Sequence, residues 1–187
     1  ILDFDKVSLS NIQRQVLYKE KDVGCLKAEV AKSTLYEHNS EIKTESYPFA
    51  LDTSNALEIL KSYDIVVDCT DNFRTRYLIN DACVKLNKPF VFAALYKFEG
   101  QLSVFNYQSG PTYRCLFPAP PMGGEVPSCE EDGVLGIVPG IIGMYQANEV
   151  IKLILSLGDI LTGKLLSLNF LTNSQQIIHR SEEHTSE

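Results

Sequence analysis

Hydrophobic and polar positions along the chain follow two periods, and the switches between them mark out the elements. Residues 1–5 (ILDFD) read as the end of a buried strand that closes on two acids. After a polar loop, residues 24–36 take helical spacing, with Leu26, Val30 and Thr34 on one face, and residues 41–47 alternate as a strand. Ser54 reads as the N-cap of a helix over 55–61, because its hydroxyl can accept from an unpaired amide of the first turn. Ile65, Val66 and Val67 form a short continuous apolar strand. In 73–86, Ile79, Ala82, Cys83 and Leu86 fall at helical spacing, and 89–94 is again a buried strand. A β-α-β-α-β-α-β order predicts a parallel sheet covered on both faces.

The second half of the chain changes character. Residues 100–107 read as a strand, and 110–127 concentrate prolines with the pair Gly123 and Gly124, so a long loop is expected there. A helix over 140–157 follows, with Ala147, Val150, Ile151, Ile154 and Leu155 toward the core and Glu149, Lys152 and Ser156 on the opposite face. Residues 164–169 and 175–179 read as a terminal strand pair. The expected fold is α/β: a Rossmann-like, mainly parallel sheet with helices on both faces, extended by antiparallel strands toward the C-terminus.

Composition narrows this little. At 187 residues and 44% hydrophobic content, the chain suits one domain with a sizeable core; residues 1–179 are read as that domain. No apolar run approaches the roughly 18 to 20 residues of a membrane helix, and a net charge of −7 argues against a nucleic-acid partner. The five cysteines include no C-x-x-C pair, which points to a reducing cytoplasm, with Cys69 and Cys83 as core residues. Residues 180–187 (RSEEHTSE) are polar and aperiodic; they resemble translated sequencing adapter and are read as a non-native or disordered tail.

Candidate chemistry gathers where strands end. In open parallel sheets, ligands collect beyond the carboxyl ends of the strands. The first strand delivers Asp3 and Asp5, and the strand at 65–67 delivers Asp68 followed by Cys69, Thr70, Asp71 and Asn72. Such acids suit a ribose hydroxyl or, beside a phosphate, magnesium. Asp71 or Asn72 can equally cap the following helix. Between the acids lies Ser10-Asn11-Ile12-Gln13-Arg14-Gln15, with Lys27 further on. Arg14 offers a planar fork and Lys27 a point charge, a combination that holds a polyphosphate.

The segments LDFDKVSLSNIQRQ, DVGCLKAE, VVDCTDNFRTRYLIN, GQLSVFNY, YRCLFP and GVLGIVPGIIG resemble, in order and spacing, the HesA/MoeB/ThiF family, bacterial relatives of ubiquitin-activating enzymes. The resemblance covers residue 2 to about residue 178. It implies adenylation by ATP of the C-terminal Gly-Gly of a small ubiquitin-like sulfur-carrier protein, on a molybdopterin, thiamine or related route. It also implies magnesium and a cytoplasmic homodimer. By the same resemblance, Asp3 matches the ribose-binding acid, and Ser10, Asn11, Gln13 and Arg14 fall in the polar loop over the phosphates. Lys27 matches the phosphate-contacting lysine, and Asp71, with Asn72 beside it, the magnesium-coordinating aspartate.

Three departures accompany it. The family's first strand and glycine-rich loop are expected before Ile1. Thr112 stands where a zinc ligand would pair with Cys115, so zinc is not expected, Cys115 serving only in a degenerate site. Cys129 matches a cysteine that some members use covalently and is a candidate nucleophile, although Glu130, Glu131 and Asp132 beside it disfavour a thiolate. A catalytically inactive scaffold of the same family and a nicotinamide-dependent dehydrogenase are the alternatives. The second leaves Arg14, Lys27 and YRCLFP without a role.

Overall fold

The computed structural model describes residues 1–121 and 133–179; the expectations for Cys129 and for residues 180–187 lie outside them. Two compact units are present, Ile1–Asp52 and the chain from Thr53 onward.

The first unit is built around one helix, α1 (Lys27–His38). It starts three residues later than the periodicity predicts because Gly24 adopts φ +88 and Leu26 is extended. Lys27, Ala28 and Ala31 form its buried face, whereas Leu26, Val30 and Thr34 are half-buried. Residues 1–5 and 41–47 pair in parallel only as a bridge between Leu2 and Tyr47. The Asp3 amide donates to the Tyr47 carbonyl at 3.2 Å and the Tyr47 amide to the Ile1 carbonyl at 2.8 Å. The Ile1 ammonium adds a bond to the Glu45 carbonyl at 2.7 Å, so the two expected strands shrink to a three-bond contact.

The second unit carries a five-stranded sheet in the order β1 (Val66–Val67), β2 (Phe90–Tyr96), β3 (Glu99–Phe105), β4 (Lys164–Asn169) and β5 (Ser174–His179). β1 and β2 are parallel, and the three later pairings are antiparallel, matching the expected parallel start and antiparallel extension. The helices are α2 (Ala56–Lys61), α3 (Phe73–Leu86), α4 (Tyr113–Leu116) and α5 (Ile137–Leu155). Asn55 rather than Ser54 occupies the N-cap position of α2. The turn α4 falls within the segment expected to be loop throughout.

Alternation along β2 gives the sheet two dissimilar faces. Val91 and Ala93, with Leu102 and Val104 from β3, join Val138, Ile142 and Leu153 of α5 in an aliphatic core. On the other face Phe90 and Phe92 meet Phe105, Tyr113 and Phe117, with ring centroids 4.9 to 6.5 Å apart. Each buried ring contributes roughly 1.5–3 kcal/mol by leaving water, and tilted or edge-on pairs add about 0.5–1.5 kcal/mol. Both faces are therefore covered, as the pattern required.

Helix α5 corrects the expectation most sharply. Its inner face is Val138, Ile142, Gln146, Glu149 and Leu153, so Glu149 lies inside. Ala147, Ile151, Ile154 and Leu155 are exposed, and Val150 is half-buried. The inward polar groups are matched. The Gln146 amide donates to the Asp68 carbonyl at 2.8 Å and the Val91 carbonyl at 3.3 Å. Glu149 accepts from the Leu161 amide at 3.0 Å and pairs with Lys152. Burial follows those bonds rather than hydropathy, because an unmatched buried carbonyl costs about 1–3 kcal/mol.

Candidate functional site

The first unit carries Asp3, Ser10, Asn11, Gln13, Arg14 and Lys27. Lys27 opens α1 with its side chain buried, and its ammonium lies 2.9 Å from Asp5 Oδ2. Its backbone amide also donates to the Asp5 carbonyl at 2.9 Å, and the Tyr18 hydroxyl donates to the Lys27 carbonyl at 3.4 Å. Asp5 in turn donates its amide to Asp3 Oδ1 at 2.8 Å. Asp3, Asp5 and Lys27 are thereby linked in one chain of contacts. Ser10 and Asn11 lie in or beside a short 3-10 turn, Leu9–Asn11, and Arg14 folds back to donate to the Ser10 carbonyl at 3.3 Å. Ser10 Oγ and Ser8 Oγ are 2.9 Å apart. Gln13 is exposed.

The second unit carries Asp71 and Asn72 at the end of β1. Asn72 caps α3, its side-chain oxygen accepting from the Thr75 amide at 2.9 Å. Asp71 is exposed and meets the Asn72 amide nitrogen at 3.4 Å. One residue is the cap and its neighbour leaves its carboxylate open, which resolves the alternative the sequence left. Asp71 lines a cavity of about 640 Å³ bounded by residues 68–73, β2, the start of β3 and the inner face of α5.

Tyr113 and Phe117 also line that cavity. Tyr113 is fixed by its amide, which donates to Asn80 Oδ1 at 2.9 Å, and burial raises its phenol above the ordinary value. Arg114 grips Asp81 with two bonds of 2.7 and 2.8 Å and stacks 4.7 Å over the Tyr77 ring. The hydrogen bonds from Arg114 hold the Asp81 carboxyl below its usual range. In this turn Thr112 Oγ1 and Cys115 Sγ are 3.4 Å apart.

The cysteines expected in the core divide. Cys83 is buried, and desolvation pushes its thiol up to about 12; Cys69 is exposed beside Asp68. Among the described residues no group of three or more His, Cys, Asp or Glu can hold a metal by itself. A cation at Asp71 would be one that takes most of its oxygens from phosphate and water, the habit of magnesium.

Sequence reasoning passed over Asp68's partners. Asp68 and Arg76 are both buried and their side chains meet at 2.8 Å, and Gln146 reaches the same strand end. The available signals were an arginine one turn into a helix that follows a strand-terminal acid, and a glutamine in an otherwise apolar helix.

The ThiF family model matches residues 1–187. The chain is 49% identical over 179 residues to a sulfur carrier protein adenylyltransferase of Thermus thermophilus, covering 93% of this chain and 66% of that protein. It is 51% identical over 166 residues to an adenylyltransferase and sulfurtransferase MOCS3 of Culex quinquefasciatus, covering 89% of this chain and 38% of that one. The chain thus spans only part of these relatives. Among solved structures, E. coli MccB with ATP superposes with TM-score 0.82 at 22% identity, over 98% of this chain and 57% of that chain. PaaA does so with TM-score 0.72 at 22% identity, over 95% and 55%. At that identity the likeness is one of fold. The family model spanning the whole chain, together with relatives near half identity, establishes that the chain belongs to the ThiF family.

Proposed function

We propose that this chain is the adenylating part of an enzyme that uses ATP to adenylate the C-terminal Gly-Gly of a ubiquitin-like sulfur carrier. The observation that carries the reading is the strand-end turn that leaves the Asp71 carboxylate open on the wall of the 640 Å³ cavity. Near-half identity to a sulfur carrier protein adenylyltransferase supports the same chemistry. In this reading residues 1–179 act as one adenylation domain. Asp3 accepts from the ribose, Ser10, Asn11, Gln13 and Arg14 hold the phosphates, and Lys27 supplies a point charge. Asp71, with Asn72 beside it, holds magnesium, which when bound neutralises charge on the phosphate oxygens. A glycine-glycine tail, lacking side chains, can reach an α-phosphate through a narrow approach that a bulkier terminus could not. Cys129 remains a candidate for a later covalent step.

The enzyme is further proposed to be a cytoplasmic homodimer. Support for the dimer comes from the outward face of α5, where Met144 is 74%, Ile154 66% and Leu155 57% exposed, since apolar stripes of this kind mark association surfaces. Sedimentation of Ile151→Glu against the unsubstituted protein tests it: a monomer supports the dimer, and an unchanged mass rejects this face.

The activity is tested by ATP–pyrophosphate exchange on the full-length protein, with and without candidate Gly-Gly carriers. Exchange that requires a carrier and is lost in Asp71→Ala is the expected result. A folded, ATP-binding protein that shows no exchange with any carrier would overturn the reading.

A further inference from the structure

Arg76 is 6% exposed, and a guanidinium is costly to bury unless its donors are met. Its Nε donates to Asp68 Oδ2 at 2.8 Å. Its Nη2 donates to the Thr70 carbonyl at 2.8 Å and, longer, to the Ala93 carbonyl at 3.3 Å. The guanidinium carbon sits 5.1 Å from the Phe92 ring centroid and 5.8 Å from that of Phe73. Asp68 is completely buried. Its second oxygen accepts from the Thr70 amide at 2.8 Å and the Thr70 hydroxyl at 2.6 Å. Gln146 closes the other side through the Asp68 carbonyl.

Thr70 is therefore bonded at its amide, its hydroxyl and its carbonyl, all through one buried ion pair. The next residue is Asp71, and the one after it is pinned as the cap of α3. Replacing a buried pair by apolar groups is often neutral or stabilising, so such a pair is a poor device for stability alone. Its particular product here is a turn with little freedom on either side of an open carboxylate.

We propose that Arg76 is a positioning residue: by tying Asp68 to the Thr70 carbonyl it fixes the 70–72 backbone, so that Asp71 faces the cavity before any ligand arrives. The held geometry is independent of the adenylation reading; its catalytic consequence rests on that reading. Lysine cannot replace the arginine, because a point charge reaches the Asp68 carboxylate or the Thr70 carbonyl but lacks the planar fork that spans both.

Two measurements on the full-length protein test this. In amide hydrogen exchange, Arg76→Lys is expected to accelerate the 68–73 segment about tenfold or more while residues 79–86 of α3 keep their protection. Equal loss across α3, or no change at the turn, overturns the proposal. In carrier-dependent pyrophosphate exchange, Arg76→Lys is expected to lower kcat about tenfold with ATP KM moving less than about threefold. A loss carried by ATP KM with kcat unchanged overturns it. If the unsubstituted protein shows no exchange with any carrier, the adenylation reading falls and hydrogen exchange alone decides the positioning. Arg76→Gln, which keeps one side-chain amide donor, serves as the second variant. Failure of both variants to fold would assign Arg76 to the core and overturn the proposal.

Discussion

Replacing Gly100 with alanine tests how closely β3 and α5 are fitted beneath the cavity. Gly100 is buried, faces Leu95 in β2 and Leu168 in β4, and lies under Ile142 of α5. A Cβ built there overlaps Ile142 Cγ1 and Cδ1 and touches Leu95 Cδ2 at 3.7 Å. Ile142 is 2% exposed and packed in the aliphatic core, so swinging its side chain toward the cavity means giving up that packing. Overpacking of this kind costs about 1–3 kcal/mol, and the stiffer unfolded chain returns about 0.4–1 kcal/mol. A net destabilisation of roughly 1–2 kcal/mol is therefore expected. Ile142→Ala alone removes the obstructing atoms and costs about 2–5 kcal/mol through the cavity it leaves. In that background the alanine at 100 fills part of the void and is expected to be neutral or stabilising by up to about 1 kcal/mol. The sign reversal gives a coupling near 2 kcal/mol, measurable by urea unfolding followed by far-UV circular dichroism with a common m-value. Equal costs in the two backgrounds would refute the close-contact argument.

Other substitutions probe the remaining links. Asp5→Asn removes the anionic partner of Lys27; because Asp5 is half-exposed, a loss of about 0.5–1 kcal/mol in urea is expected, and a similar loss in a Lys27→Met background would deny the pairing. Gln146→Leu is more hydrophobic yet is expected to lower stability by about 1–3 kcal/mol, because the Asp68 carbonyl loses its donor while the Val91 carbonyl keeps the Asp68 amide; an increase in Tm would contradict that. Burial holds the Cys83 thiol near 12 against an ordinary 9.0, so the native state keeps a proton that the unfolded chain releases above pH 9. Its contribution is complete below pH 9 and declines through pH 12 at about 1.4 kcal/mol per pH unit. The stability difference between the unsubstituted chain and Cys83→Ala should shift by that slope against the unsubstituted chain, and a pH-independent difference would reject it.

Elements with strong local signals were legible before the structure. The bounds of α3 were read correctly because Asn72 caps one end and Asn87, at φ 52, closes the other. The β2–β3 hairpin was less legible at its tip, since the left-handed residue there is Lys97 and no glycine or asparagine announces the turn. Helix α5 misled because hydropathy assigns one face and hydrogen bonding the other. The carbonyls that call Gln146 inward belong to residues 55 and 78 positions away, beyond any local window. Of the proposed functional residues, Asp71 and Lys27 could be named from residue type and place in the chain. Their supports, Arg76 and the Lys27–Asp5 contact, needed the fold, because separations of 6 to 22 residues become contacts only when strand ends and helix starts converge.

Strand β5 closes the described sheet at one edge, and all six of its residues are exposed. Its sequence, SQQIIH, holds no lysine, glutamate or proline, the residues that usually blunt an edge against sheet extension. Ile177 and Ile178 add exposed apolar surface on the same strand. Repulsion between chains of net charge −7 opposes edge-to-edge growth, but that repulsion reaches only about 8 Å at physiological ionic strength. The limit on concentrating this chain is therefore expected to be set by salt acting on the folded molecule at this edge, ahead of unfolding by heat.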